Sequence, residues 1–233
     1  MPQTKFHRPK TRTVSLRPTD HKYIYEPTGL MMKTSVTGVI NWFKDPNRYG
    51  SNTTQRDIGL HVHDWLHHWA NFSDFKNQSG PTRDAWRESP EGHDCGDWID
   101  NLLADEFLAE AYVLASEFTM CNTQLSLGGQ LDLLIALDDK VLLVDLKTKS
   151  DKWRSPSRAD ITEYKAQAGG YLELLYFGNQ AERHLGKPIV TECRTLIVTP
   201  TEAKWLSPYD PEDCKKEWDK CWEKYAAAAL TTF

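Results

Sequence analysis

No stretch of the chain is apolar over anything near the ~18 to 20 residues that a membrane-spanning helix needs, and no apolar core follows the basic N-terminal residues as it would in a secretory signal. Cysteine is scarce and odd in number. Cys95, Cys121, Cys193, Cys214 and Cys221 include no Cys-x-x-Cys pair, which argues against a disulfide framework and a zinc ribbon and for reduced thiols. Positive charge is in deficit as well: 28 Lys and Arg against 33 Asp and Glu leave a net −5. That excludes a surface coated for indiscriminate nucleic-acid binding but not a local basic groove. Internal repeats and low-complexity tracts are absent too. The expectation is a soluble, intracellular protein, most simply a cytoplasmic one.

What is present fits one globular domain. The 233 residues are 39% hydrophobic, 26% charged and 11% aromatic, which is close to the globular average. Acid is missing from the first seventeen residues, which carry Lys5, Arg8, Lys10, Arg12 and Arg17, so residues 1–20 are expected to be a flexible basic arm and 21–233 a single domain. Prolines at 2, 9 and 18 argue against the amphipathic helix of a mitochondrial transit peptide. A hairpin is predicted at 21–37 around the turn Glu26-Pro27-Thr28-Gly29. Ile58, Val62, Trp65, Leu66, Trp69 and Phe72 form one stripe of a helix over 56–72, with a loop at 74–96 and a further helix over 97–111. Strands follow at 112–120, 130–137 and 140–147, then a helix at 159–176, a strand at 189–199 and a helix capped by Asp210 and started by Pro211. This order suggests α/β layers with a mixed sheet.

The segment from Gly128 to Thr148 carries the chemistry. With Asp138-Asp139 at the tip of a hairpin, paired residues have numbers summing to 277, which sets Asp132 opposite Asp145. Strand alternation then puts Lys147 on the same face. Two carboxylates at ~5 Å repel by roughly 3 kcal/mol at an effective dielectric of about 20, so the pair calls for a cation. Oxygen ligands converging from two strands suit Mg²⁺ or Mn²⁺.

These residues resemble a known pattern. Gly129, Asp132 and, after twelve residues, Asp145-Leu146-Lys147-Thr148 are similar to the signature of the PD-(D/E)XK nucleases, in particular the RecB-like branch. Gln167 to Tyr171 resembles that branch's Q-x-x-x-Y element, Gly59 to His63 its G-x-x-x-H element, and Ser35-Val36-Thr37 the start of phage exonucleases and the mitochondrial genome-maintenance exonuclease. The resemblance implies a restriction-endonuclease-like core with a mixed sheet flanked by helices. It further implies a Mg²⁺- or Mn²⁺-dependent DNA exonuclease of replication, recombination or repair, conceivably phage-encoded and working beside other recombination or replication proteins. The alternatives are an endonuclease of the same superfamily and a catalytically silent DNA-binding recombination partner.

On this reading Asp132, Asp145 and Lys147 are catalytic, and Asp132, Asp145 and the carbonyl of Leu146 hold metal. His63 and the minor candidate Glu117 would assist with a second ion. His63 stands off the apolar stripe of its helix, where a partly exposed histidine with no ligand role is the alternative. Zinc on the His63 and His67 pair lacks the Glu of a HExxH motif and a third ligand. Gln167 and Tyr171 would position DNA, and Gly169 and Gly170 would allow a close approach of helix to sheet or of DNA backbone to helix. Lys149, Lys152 and Arg154 would track phosphates, while Trp153, Trp42 and Phe43 would stack unpaired bases, favouring single strands and DNA ends. The spread of the late cysteines argues against an iron–sulfur cluster.

Overall fold

The computed structural model describes residues 13–42, 53–72, 81–178 and 189–230. The described chain opens with three short antiparallel strands, β1 (Val14–Arg17), β2 (Lys22–Tyr25) and β3 (Leu30–Met31). The predicted hairpin is there: Tyr25 pairs with Leu30, and Gly29 takes the left-handed φ of 69° that the turn requires. Strand β1 corrects the boundary of the expected arm. Val14 is buried, its carbonyl accepts the Thr119 hydroxyl at 2.7 Å, and residues 14–17 pair with 25–22. The charge of Arg17 that suggested a mobile segment is met by Asp20. The other basic residues of the arm lie in 1–12, outside the described residues.

Strand β4 (Thr34–Ser35) leads into the helices α1 (Val36–Trp42) and α2 (Thr53–Phe72). Ile58, Val62, Trp65, Leu66 and Trp69 of the α2 stripe are buried as predicted. The helix expected over 97–111 is two, α3 (Gly96–Leu103) and α4 (Glu106–Glu110). Asp105 breaks it: one carboxylate oxygen caps α4 by accepting Leu108 N–H at 2.8 Å, and the other accepts the Trp205 indole N–H at 2.9 Å. The apolar spacing runs on across the break, which hides it from a periodicity argument.

The remaining elements are β5 (Tyr112–Asn122), β6 (Leu127–Leu137), β7 (Lys140–Thr148), α5 (Arg158–Phe177), β8 (Glu192–Val198), β9 (Ala203–Trp205) and α6 (Pro211–Leu230). Strands β4 to β9 form one six-stranded mixed sheet: β5 and β7 run antiparallel to β6, while β4–β6 and β7–β8 are parallel. Helices cover both faces. Val36, Val39, Tyr171, Leu174 and Trp218 of α1, α5 and α6 pack on one side, and Val62, Trp65, Trp69, Ile99 and Leu108 of α2, α3 and α4 on the other. No helix among the described residues is long and apolar enough to cross a membrane.

Gly169 and Gly170 do admit a close approach, but of helices rather than of the sheet or of DNA. A Cβ on Gly169 would stand 2.2 Å from the Cys214 carbonyl oxygen of α6, and one on Gly170 would stand 2.6 Å from Val36 of α1. Backbone cannot swing aside as a side chain can, so Gly169→Ala should cost about 2 to 3 kcal/mol or more. Gly59→Ala meets only the Thr148 hydroxyl at 2.9 Å and gains about 1 kcal/mol of helix propensity, so its stability should be nearly unchanged. Denaturant melts of the two variants check the contrast.

Candidate active site

The β6–β7 ladder has the predicted register, from Leu137 with Lys140 to Leu133 with Val144, and there it stops. Farther along, the same edge of β6 is taken by β4, which pairs with Leu127 and Gly128, because β5 holds the opposite edge throughout. Between the two partners the sheet forks. Asp132 stands at the fork. Its Oδ2 accepts Leu146 N–H at 2.7 Å, replacing the backbone partner that β7 loses when β6 departs. The Leu146 carbonyl leaves the strand on the same edge as its N–H and so faces the same opening.

On the other side of Asp132 the β5–β6 register places Glu117, between the pairs Ser116 with Leu133 and Phe118 with Leu131. Glu117 has φ of 45° within a strand, a left-handed conformation that costs a side-chain-bearing residue about 1 to 2 kcal/mol. Gln130 holds its carbonyl at 3.2 Å. Strand β6 is irregular here too: Leu131 lies in one core layer and Leu133 in the other, where strict alternation would put them together. The two irregularities turn Glu117 and Asp132 toward α2. His63 Nδ1 lies 3.3 Å from Glu117 Oε1 and 3.7 Å from Asp132 Oδ1. Gly59, one turn earlier, lets α2 approach the end of β7 beside Thr148.

Asp145 is fully buried. Lys147 Nζ donates to its Oδ1 at 2.9 Å and to Gln167 Oε1 at 3.0 Å, and Gln167 Nε2 donates to the Tyr171 hydroxyl at 3.0 Å. Lys147 also lies 2.8 Å from Asp145 Oδ2, but at an angle that makes no hydrogen bond, so this oxygen is buried without one. The structure thus brings Asp132, Asp145, Lys147, His63, Glu117 and the Leu146 carbonyl to one fork. Gln167 and Tyr171 reach it from behind. Both are buried, so their side chains orient Lys147 where contact with DNA was expected.

The basic residues divide. Lys149 lines a cleft of about 330 Å³ together with Lys147, walled by Thr37, Ile40 and Asn41 of α1 and by Asp160, Glu163, Tyr164 and Gln167 of α5. Lys152 and Arg154 are exposed but outside that lining. Arg154 donates to the backbone carbonyls of Asp151 and Trp153. Trp153 is half-buried against the core with Lys204 over its ring at 5.9 Å, which corrects its assignment as an open stacking surface. Trp42 is 53% exposed, and Phe43 lies outside the described residues. Sequence reasoning missed Thr37, Asn41 and Tyr164. Tyr164, three residues before Gln167 on the same helix face, was within reach of a spacing argument.

Burial pushes Asp145 up to about 6, with Asp132 adding to the shift and Lys147 opposing it. Burial and Glu117 also raise Asp132. For His63, burial favours the neutral ring, but Asp132 and Glu117 outweigh it and lift the imidazole to about 9. Burial likewise works against the Lys147 ammonium and is outweighed by Asp145 and Asp132, so Lys147 stays charged. The donor set fits a hard divalent ion: His63, Glu117 and Asp132 offer ligand atoms within 4.8 Å of one another, and Asp145 keeps a buried oxygen without a hydrogen bond.

These shifts fix the sign of a pH effect on the metal-free protein. Asp145 binds its proton more tightly folded than unfolded, so its contribution is full below about 4, the unfolded value, and is lost as pH rises through about 6. His63 contributes fully below about 6.5 and loses that as pH rises through about 9. In chelator, melting temperature should therefore fall from acid to alkaline pH, with the lower limb flattened by Asp145→Asn and the upper by His63→Gln. Added Mn²⁺ should raise it more at alkaline than at acid pH. Thermal melts across pH check both.

Comparison with known proteins agrees with this geometry. No curated protein matches the chain. Among solved structures, the crystal structure of SSO0001 is similar at 14% identity over 80% of this chain and 82% of that one, with a TM-score of 0.29. A family model for the PD-(D/E)XK nuclease superfamily matches residues 43–220, a span that holds the whole fork, and its members hydrolyse phosphodiester bonds with divalent metals. By that match the chain belongs to the PD-(D/E)XK nuclease superfamily.

Proposed function

We propose that the chain is a Mg²⁺- or Mn²⁺-dependent deoxyribonuclease that works as an exonuclease on single-stranded DNA or DNA ends, in replication, recombination or repair. The fork carries this reading: three acids stand abreast on β5, β6 and β7, with one lysine and one histidine as counter-charges and one buried oxygen without a hydrogen bond. Asp132, Asp145 and the Leu146 carbonyl would hold one ion, and His63, Glu117 and Asp132 a second. A bound ion supplies an activated water and offsets charge developing on the phosphate.

The chain's own groups do the rest. Lys147, kept protonated by its carboxylates, is a cation toward the phosphate rather than a base, and Gln167 and Tyr171 fix its position. Lys149 meets the phosphate in the cleft, while Lys152 and Arg154 extend the positive surface beyond it. The size of the cleft supports one nucleotide at a time, since about 330 Å³ is at the low end for small-molecule pockets. That favours a strand end over an intact duplex.

Asp132→Asn, Asp145→Asn and Lys147→Ala should each lower turnover at least about a hundredfold. Asp145→Asn should not lower the melting temperature, because it removes a buried like charge. His63→Ala should lower activity about 10- to 100-fold at little cost in stability. Full activity in excess chelator, or in the Asp145 variant, would remove the metal-nuclease reading.

End dependence is tested by incubating the protein with linear and circular single-stranded DNA in Mg²⁺ or Mn²⁺. The linear form should be degraded and the circle spared, and binding should weaken as salt rises. Equal rates on both would make the enzyme an endonuclease.

A further inference from the structure

Tyr23 stands beside this cluster and has no part in the reading above. It belongs to β2, before the residues 43–220 that the superfamily model spans. Its ring lies against Gly128, where a Cβ would stand 2.5 Å from both Cβ and Cγ of the tyrosine. Gly128, Gln130 and Asp132 follow one another at alternate positions of β6, each step ~6.6 Å, close to the length of a tyrosine side chain. A ring rooted at Gly128 therefore carries its hydroxyl toward the carboxylates at the fork. The charges that hydroxyl feels are those of Glu117 and Asp132, and the Tyr171 phenol senses it as well.

The side chain is 8% exposed, and the backbone is fixed by pairing with Leu16 and by Met32 N–H donating to the Tyr23 carbonyl at 2.8 Å. Yet among the described residues the hydroxyl makes no hydrogen bond. A buried phenol normally finds a partner. Carboxylates that are to take metal do not supply one, and an ion does not accept a proton donor. A phosphate oxygen does.

We infer that the Tyr23 hydroxyl donates a hydrogen bond to a non-bridging oxygen of the substrate phosphate at the fork, so that the N-terminal hairpin supplies a substrate-binding residue. This rests on the nuclease reading. Burial and the two carboxylates hold the phenol well above its ordinary value, so it remains a donor at working pH and is not a base.

Tyr23→Phe keeps the ring on Gly128 and removes no hydrogen bond of the free protein, so melting should not change. Binding of an oligo(dT) in Ca²⁺, followed by fluorescence anisotropy, should weaken about tenfold in the variant. With phosphorothioate oligo(dT) of single configuration, one configuration should weaken wild type and add nothing to the loss in the variant, because sulfur and phenylalanine remove the same bond. Unchanged affinity, or losses that add in both configurations, would overturn the inference. Wild-type protein that binds in Ca²⁺ but cuts nothing in Mg²⁺ or Mn²⁺ would fail the nuclease reading while the binding measurements still decide Tyr23. Wild-type protein that cuts, with a variant that binds equally well, would fail the inference alone, and protein that neither binds nor cuts overturns both.

Discussion

The hydrogen bond from Leu146 N–H to the Asp132 carboxylate is the contact on which the rest of the site depends. When β6 leaves β7, a backbone donor next to a buried strand loses its partner, at a cost of about 1 to 3 kcal/mol if nothing replaces it. Asp132 replaces it, and the sheet can split without an unsatisfied donor. The split frees the Leu146 carbonyl, exposes the side chains at the end of β7, and leaves an edge of β6 for β4 to occupy. Because α1 follows β4 directly, the same event places one wall of the cleft. A structural terminator and an acid of the site are one residue.

The electrostatic consequence is a fold that carries its own instability at one point. Burial raises Asp132 and Asp145 and neither has enough counter-charge in the protein, since Lys147 serves both and His63 is shared between Asp132 and Glu117. Glu117 adds backbone strain. Residues that cost stability and cluster with unsatisfied oxygen are what a site built around an absent cation should show, because a divalent ion offsets all of these terms together.

The hairpin register was legible because its rule is local: a turn at Asp138-Asp139 fixes every pair up to Leu133, and each is observed. The rule gave the right neighbours for Asp132 and the wrong reason for their arrangement, since pairing ends one residue short. Nothing in the chain's alternation announces that break, the left-handed Glu117, or the change of face between Leu131 and Leu133, which arise from strands competing for the edges of β6. Asp105 was invisible for a related reason, because its cap is completed by Trp205 from a distant strand. Val14 to Arg17 were taken with the basic residues before them, although the alternation of Val14 and Leu16 with polar residues was there to be read. Gln167 and Tyr171 share a helix face as expected, but only packing reveals that the face points inward.

That inward face gives the C-terminal helix a part in the site, although no motif lies in it. Lys147 is aimed by Gln167, Gln167 is held by Tyr171, and both belong to α5. The depth of α5 is set where Gly169 meets the backbone of Cys214 and Gly170 meets Val36, so α6 and α1 fix it from two sides. Positioning within an active site is sensitive to displacements of about 1 Å. The packing of α6 on two glycines therefore acts on the angle at which an ammonium group meets Asp145, more than twenty residues away along the chain and on the other side of a helix.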